Sequence, residues 1–434
     1  MTATLPTLPA DVPNVTPQDR EYHRLRSTYT ASHTPGAILL PRSDSEVAQA
    51  LRYAAGTAAP VSVRSGGHGL SGRSSNDDGT VIDLSRLSGV EILDPETGLV
   101  RVGAGARWAQ VAAALSRHDL AISSGDHGGV GVGGLATAGG VGWLVREYGL
   151  TIDHVRAATV VLADGSIVRA DGRSSPDLLW AVRGAGSYVG VVTDLDIDSM
   201  PLSGVAVTQL AIEVDPDGAV LERWAEFMAG APRALTMSGA LVMSDDRPVL
   251  VLTAVVASDD PRVAEKALRP LEKLGRVHRG RVSSARYADL VPLEHLHPNL
   301  GQQPSTTTNA LLRRITADSA RALVDVVSHR ARPLVQLRAL GGAVDDVDPA
   351  ATAYAHREAH ALVTATTFPP YSGPDLDEAV VPLLPYSIGA YRNFETRPDD
   401  EAFTRAFPGA TGERVKALAG RYDPDGVLSR VDRL

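Results

Sequence analysis

The 434-residue chain contains no cysteine. That removes disulfides, thiolate nucleophiles, cysteine-ligated zinc and iron–sulfur clusters together. Aromatic residues are scarce at 5%, and no basic stretch interleaved with them appears, so the usual stacking surface for single-stranded nucleic acid is missing. Positive charge is in deficit: the net charge of −9 argues against nucleic acid or an anionic membrane as the main partner. There is no apolar run of about 18 residues that could span a bilayer. Residues 1–20 carry prolines and acidic residues where a signal peptide needs a basic start and an apolar core, so a cytoplasmic location is expected.

What is present describes a globular enzyme-like chain, with 44% hydrophobic and 21% charged residues. Its length exceeds the roughly 250–300 residues one core usually serves, so more than one domain is expected. Residues 43–53 open with Ser-Asp-Ser-Glu and read as an N-capped amphipathic helix. Strand-like runs follow at 60–64, 80–84 and 99–102, a helix at 108–115, and a hairpin around Ala163-Asp164-Gly165. Beyond about residue 203 the texture changes to longer strands, such as 249–256, and amphipathic helices at 261–274 and 317–328. That pattern predicts an antiparallel sheet backed by helices. The predicted division is a first domain over 1–203 (core 34–203), an inserted domain over 204–384 and a C-terminal return over 385–434.

Two glycine clusters carry the chemistry. In Arg64-Ser65-Gly66-Gly67-His68-Gly69, an imidazole sits in a loop whose residues tolerate positive φ and close backbone approach, leaving N–H groups free to meet phosphate oxygens. A plain glycine-rich connector is the competing reading. The second cluster, 125–142, contains Gly129-Val130-Gly131-Val132-Gly133-Gly134, a formal G-x-G-x-x-G with Asp153 about 20 residues on, as in a dinucleotide-binding turn. That reading needs an apolar strand immediately before the glycines. Residues 121–127 are polar and turn-like instead, and Asp153 precedes the next strand rather than ending one.

Taken in order, Arg64-Ser65-Gly66-Gly67-His68, the 125–142 run, Tyr148-Gly149-Leu150-Thr151-Ile152-Asp153, Asp177-Leu178-Leu179-Trp180, Gly190-Val191-Val192-Thr193, Tyr391-Arg392-Asn393-Phe394 and Tyr422-Asp423-Pro424 span almost the whole chain. This series resembles the berberine bridge enzyme-like FAD-linked oxidases of the vanillyl-alcohol oxidase/para-cresol methylhydroxylase (PCMH) superfamily. The resemblance implies an α+β fold: a PCMH-type FAD-binding domain of two α/β subdomains, and an inserted substrate domain with an antiparallel sheet backed by helices.

It further implies FAD joined through its 8α-methyl to His68, with Ser65, Gly66, Gly67 and Gly69 cradling the pyrophosphate. Arg64 is either a phosphate contact or a surface charge. Gly125, Asp126, Gly131, Gly133, Gly134, Leu135, Gly140 and Val192 are implied FAD neighbours. Many relatives add a second link through a cysteine, whose place here is held by His127, so a single tether is expected; His127 either contacts the flavin or fills that vacancy.

The usual bases are absent: Phe394 stands where relatives have a tyrosine, and no acid lies at 364–366. Tyr391 and Asn393 beside the flavin, with Arg338, Tyr354, His356 and His360 from the inserted domain, are the remaining candidates. Gln336 and Arg338 share one strand face. His356 and His360, four apart, could share a helix face as a structural pair or, alternatively, a metal pair; no metal is expected. The implied function is hydride transfer from a small amine or alcohol, in secondary metabolism, to flavin N5, with reoxidation by O₂. The alternatives are a flavin-oxygen-adduct monooxygenase acting on a polyketide-type metabolite, and a flavin-binding protein without turnover.

Overall fold

A computed structural model describes residues 7–292 and 304–429. Two larger sheets and a two-stranded ribbon, Leu120–Ala121 with Met200–Pro201, occupy the first half of the chain. In the four-stranded sheet, Asn14–Val15, Ala37–Leu39, Thr80–Asp83 and Val61–Arg64 lie side by side, the last three parallel. The helix Asp44–Ala55 makes the crossover. It starts where Ser43 accepts a hydrogen bond from the Glu46 N–H, and it buries Val47, Ala50, Leu51 and Ala54. Crossover helices cover a parallel sheet, which is why Val81 and Ile82 are wholly buried.

The five-stranded sheet has the order Val90–Asp94, Leu99–Gly103, Val191–Asp198, Val155–Val161, Ile167–Asp171. Its pairings are antiparallel, and Val161 faces Ile167 across the hairpin read from Ala163-Asp164-Gly165. The glycine-rich segment is folded back onto this sheet. The Val132 and Gly133 N–H groups donate to the carbonyls of Ala106 and Ala104.

A nine-stranded antiparallel sheet fills the second half of the chain. One face packs under the helices Ala219–Gly230, Pro261–Leu268, Ala317–Ser328 and Gly373–Val380, burying Trp224, Leu323 and Leu376 with Val335, Leu337, Val363 and Ala365. Burying one such side chain contributes about 1.5–3 kcal/mol. Strand alternation sends Gln336, Arg338, Thr364 and Thr366 to the opposite face. The strand Ser387–Gly389 pairs with Thr306–Leu312, so the chain beyond residue 384 runs along this sheet before it reaches Tyr391.

Two local expectations are corrected. The helix predicted over 261–274 ends at Leu268 and tightens into a 3₁₀ turn, Arg269–Lys273, because Pro270 has no N–H and its ring crowds the preceding turn. His356 and His360 share no helix face: residues 354–360 are turns and extended chain.

Candidate active site

Between the first-half sheets and the bare face of the large sheet lies a cavity of about 950 Å³. The loop 65–69, the glycine segment at Gly125 to His127, Val130, Gly131 and Gly133 to Leu135, Val191 and Val192, and Ala390 to Glu395 all contribute to its lining. A Cβ on Gly66 would stand 2.3 Å from the Gly131 nitrogen, and one on Gly131 would stand 2.1 Å from the Gly66 nitrogen. The two glycine loops are therefore pressed back to back, which no larger residue permits. At Gly69 and Gly134 a Cβ would meet nothing within 4 Å. The floor of the cavity is thus bare backbone with open space above it, which suits a long phosphorylated cofactor laid against main-chain N–H groups.

His68 lies in this lining between two rings. Tyr29 stacks on it at 4.7 Å between ring centroids and 13° between planes, and His127 stands 5.0 Å away on the other loop. His127 Nδ1 accepts from the Gly129 N–H at 3.2 Å, which leaves the ring proton on Nε2. Burial holds the His127 imidazole below its ordinary pKa, against the opposing pull of Asp126. Tyr29 escaped the sequence reading, because nothing in residues 27–32 marks a ring that folds back onto a loop 39 positions away.

The sequence placed Arg64 and Gly140 beside the cofactor; the structure does not line the cavity with either. Arg64 is buried, its Nε donating to Asp83 at 2.7 Å, so it is neither a surface charge nor part of the cradle. It ends a strand of the parallel sheet, and strand alternation turns it away from the loop it precedes. Gly140 sits beneath Tyr391, where its positive φ and missing Cβ let Thr151 close in. Ser65 lines the cavity, but its hydroxyl donates to the Ala104 carbonyl at 2.5 Å.

The opposite wall is side chain rather than backbone. Thr307, Gln336, Arg338, Thr364 and Thr366 project from adjacent strands, with Thr307 hydrogen-bonded to Thr366 at 2.9 Å. Tyr391, Asn393, Phe394 and Glu395 close it. The Tyr391 hydroxyl oxygen accepts from the Gly140 N–H (3.1 Å) and from Asn393 Nδ2 (3.2 Å). Burial raises the phenol's pKa in spite of both bonds, so Tyr391 is neutral at physiological pH. Its backbone is clamped by Asn309, whose side chain accepts from the Tyr391 N–H and donates to the Tyr391 carbonyl.

Glu395 was also missed by the sequence reading. Burial raises its pKa, while Thr308 Oγ1 and the Arg397 N–H donate to its two oxygens. Nothing separates a buried glutamate from an exposed one in a single sequence when it follows a turn.

His356, Tyr354 and His360 do not reach this cavity. The His356 ring fits against Gly389, with Nε2 2.9 Å from the Arg405 carbonyl. Tyr354 packs edge-on against Tyr391, and His360 pairs with Asp345 at 3.1 Å near the Gly341 turn. Asp153, the acidic residue of the dinucleotide-turn reading, is held in a buried two-pronged ion pair with Arg357 at 2.8 and 2.9 Å. The glycines it was matched with follow no strand of their own sheet.

A sheet pair joined by glycine loops over a long cavity, facing a helix-backed antiparallel sheet, is the arrangement of the FAD-linked oxidoreductases. Comparison with known proteins makes this specific. The sequence profile of an FAD binding domain matches residues 35–171. (R)-6-hydroxynicotine oxidase of Paenarthrobacter nicotinovorans is 36% identical over 42% of this chain, which covers 40% of that enzyme's length. The FAD-linked oxidoreductase dpmaF of Metarhizium anisopliae is 29% identical over 91% of this chain and 83% of its own.

Glucooligosaccharide oxidase from Acremonium strictum superposes with a TM-score of 0.87 over 96% of both chains at 23% identity, and a berberine bridge enzyme variant with 0.82 at 19%. The chain carries an FAD-binding domain and has the fold of the PCMH-type FAD-linked oxidases, which include berberine bridge enzyme and 6-hydroxynicotine oxidase. No helix among the described residues is long and apolar enough to cross a membrane.

Proposed function

We propose that this chain is an FAD-dependent oxidase that holds its flavin by a single covalent bond to His68 and oxidises a small organic amine or alcohol. One observation carries the reading: the His68 imidazole faces the glycine-floored cavity with its plane fixed by Tyr29. A neutral imidazole so oriented is a competent nucleophile toward the flavin's 8α carbon. Glucooligosaccharide oxidase from Acremonium strictum carries a 6-S-cysteinyl, 8α-N1-histidyl FAD, which agrees with a histidyl link. With no cysteine in this chain, a second link of that kind has no partner.

When bound, FAD would supply the two-electron acceptor for substrate hydride at its N5, with O₂ as the proposed terminal oxidant giving hydrogen peroxide. In this reading residues 1–203 and 385–434 hold the cofactor, and residues 204–384 form the substrate wall. The cradle is Ser65 to Gly67 and Gly69 with Gly125, Gly131, Gly133, Gly134, Leu135 and Val192, all of which line the cavity.

The protein's part is orientation rather than strong base chemistry. Phe394 has no proton acceptor, Thr364 and Thr366 occupy the strand wall, and Tyr391 is kept neutral. Such a site favours a donor that can lose hydride unaided, above all a neutral amine, with Tyr391 and Asn393 fixing its approach. Anaerobic bleaching of the flavin by members of an amine and alcohol library, followed by stoichiometric peroxide on admitting air, is the expected result. Labelled oxygen appearing in the product instead of peroxide would replace the oxidase by a monooxygenase.

A further inference from the structure

Arg338 is the one charged residue on the substrate wall whose bonding is incomplete in a telling way. Its side chain is 8% exposed and lines the cavity from near the end of the strand Leu334–Ala339. Nε donates to Asp126 Oδ2 at 3.0 Å, and the guanidinium lies 4.6 Å over the Phe394 ring. Nothing among the described residues bonds to Nη1, which is shut off from solvent, and the only ion pair or hydrogen bond the group makes runs through Nε. A guanidinium serving only to tie Asp126 to the sheet would present its fork to the carboxylate. Here Asp126 takes one corner, Phe394 takes a face, and the end carrying both Nη groups is left over.

A buried charged donor without an acceptor is costly, and native structures rarely leave one unexplained. The neighbouring polar side chains on this wall carry no charge: Gln336 two residues earlier on the same face, Thr364 donating to Gln336 Oε1, and Thr366 bonded to Thr307. No anionic acceptor on this wall meets the Nη end among the described residues. A carboxylate in the cavity supplies one, accepting from Nη2, which unlike Nη1 is not closed off from solvent.

We propose that Arg338 is the docking point for a carboxylate carried by the substrate, so that the amine or alcohol oxidised here is an acid-bearing one. The proposal rests on the oxidase reading for the word substrate, but the binding site itself does not. Asp126 and Phe394 act as positioning residues, the first fixing the guanidinium's rotation and the second its height above the floor.

Calorimetric titration of the intact protein with acetate and benzoate, beside the neutral acetamide and benzamide, tests it. The wild type should bind a carboxylate in preference to its amide. Arg338→Gln should weaken that binding roughly 10- to 100-fold, the range for a hydrogen bond to a charged group, and leave the amides unchanged. Arg338→Lys, which keeps the charge beside Asp126 but not the fork, should give an intermediate loss and guards against a folding artefact. No preference for the carboxylate in the wild type, or an unchanged affinity in both variants, would overturn the proposal.

A second arm uses sulfite, which adds to the flavin ring and is retained by positive charge beside it. Sulfite affinity should stay the same in Arg338→Gln. A fall in it as large as the fall for benzoate would assign Arg338 to the flavin and overturn the docking role. Loss of flavin colour from acid-precipitated protein would sink the covalent tether alone, because calorimetry reads the carboxylate site without any turnover.

Discussion

The two walls of the cavity are built from opposite materials. On the side proposed for the flavin the surface is main chain, with glycines packed so closely that Gly66 and Gly131 leave no room for a methyl group. On the facing side it is a lawn of side chains, Thr307, Gln336, Arg338, Thr364 and Thr366, on strands whose other face is an ordinary apolar core. A backbone wall is shape-determined and tolerates almost no substitution. A strand-borne wall can be rewritten residue by residue without touching the core, because alternate positions are structurally independent. On the proposed reading the first wall would specify a cofactor and the second a substrate.

Substitutions should expose that asymmetry. The largest expected effect is His68→Ala: all flavin should leave the acid-precipitated pellet, whereas His127→Ala should keep it, read by colour and fluorescence against a free-FAD control. Next is the tie between the halves, the Arg357–Asp153 pair. Arg357→Ala strands a buried carboxylate and should cost about 3–5 kcal/mol in urea unfolding.

Gly131→Ala forces backbone against backbone and should cost about 1–3 kcal/mol. Thr366→Val on the opposite wall loses one hydrogen bond and should cost about 0.5–1.5 kcal/mol. Equal costs for these last two would erase the distinction between the walls.

The smallest effect is a pH dependence. Burial holds His127, His154 and His356 below the ordinary value of 6.5. The unfolded chain therefore takes up protons first as pH falls, so stability is full above about 6.5 and declines below it. Melting temperature measured between pH 8 and 5 should drop on the acid side, and less steeply in His356→Gln.

The glycine loops that meet at the cavity were legible because their signal is local. Glycines at fixed spacing around a histidine state a backbone requirement in the sequence itself, and the capped helix at Ser43 and the hairpin at Asp164 are equally short-range. Arg64 and Gly140 were misplaced for the same reason: adjacency to a motif does not say which way a strand end or a turn faces. The facing wall was visible only as the alternation of Gln336 and Arg338. Which residues of other strands stand beside them depends on register between segments as far apart as Ser238 and Arg338, and no single segment records that. Tyr29 over His68, Asn309 beneath Tyr391 and the Asp153–Arg357 pair all join residues far apart in the chain. Each is a tertiary fact without a local signature.

The central claim is that the glycine-floored wall holds FAD by one bond at His68. Peptide mass spectrometry of the digested native protein tests it most directly. The account predicts that the peptide containing His68 carries the mass of FAD, with fragmentation placing it on that imidazole, and that the peptide containing His127 is unmodified. An unmodified His68 peptide, with the flavin recovered free in the supernatant, would contradict it.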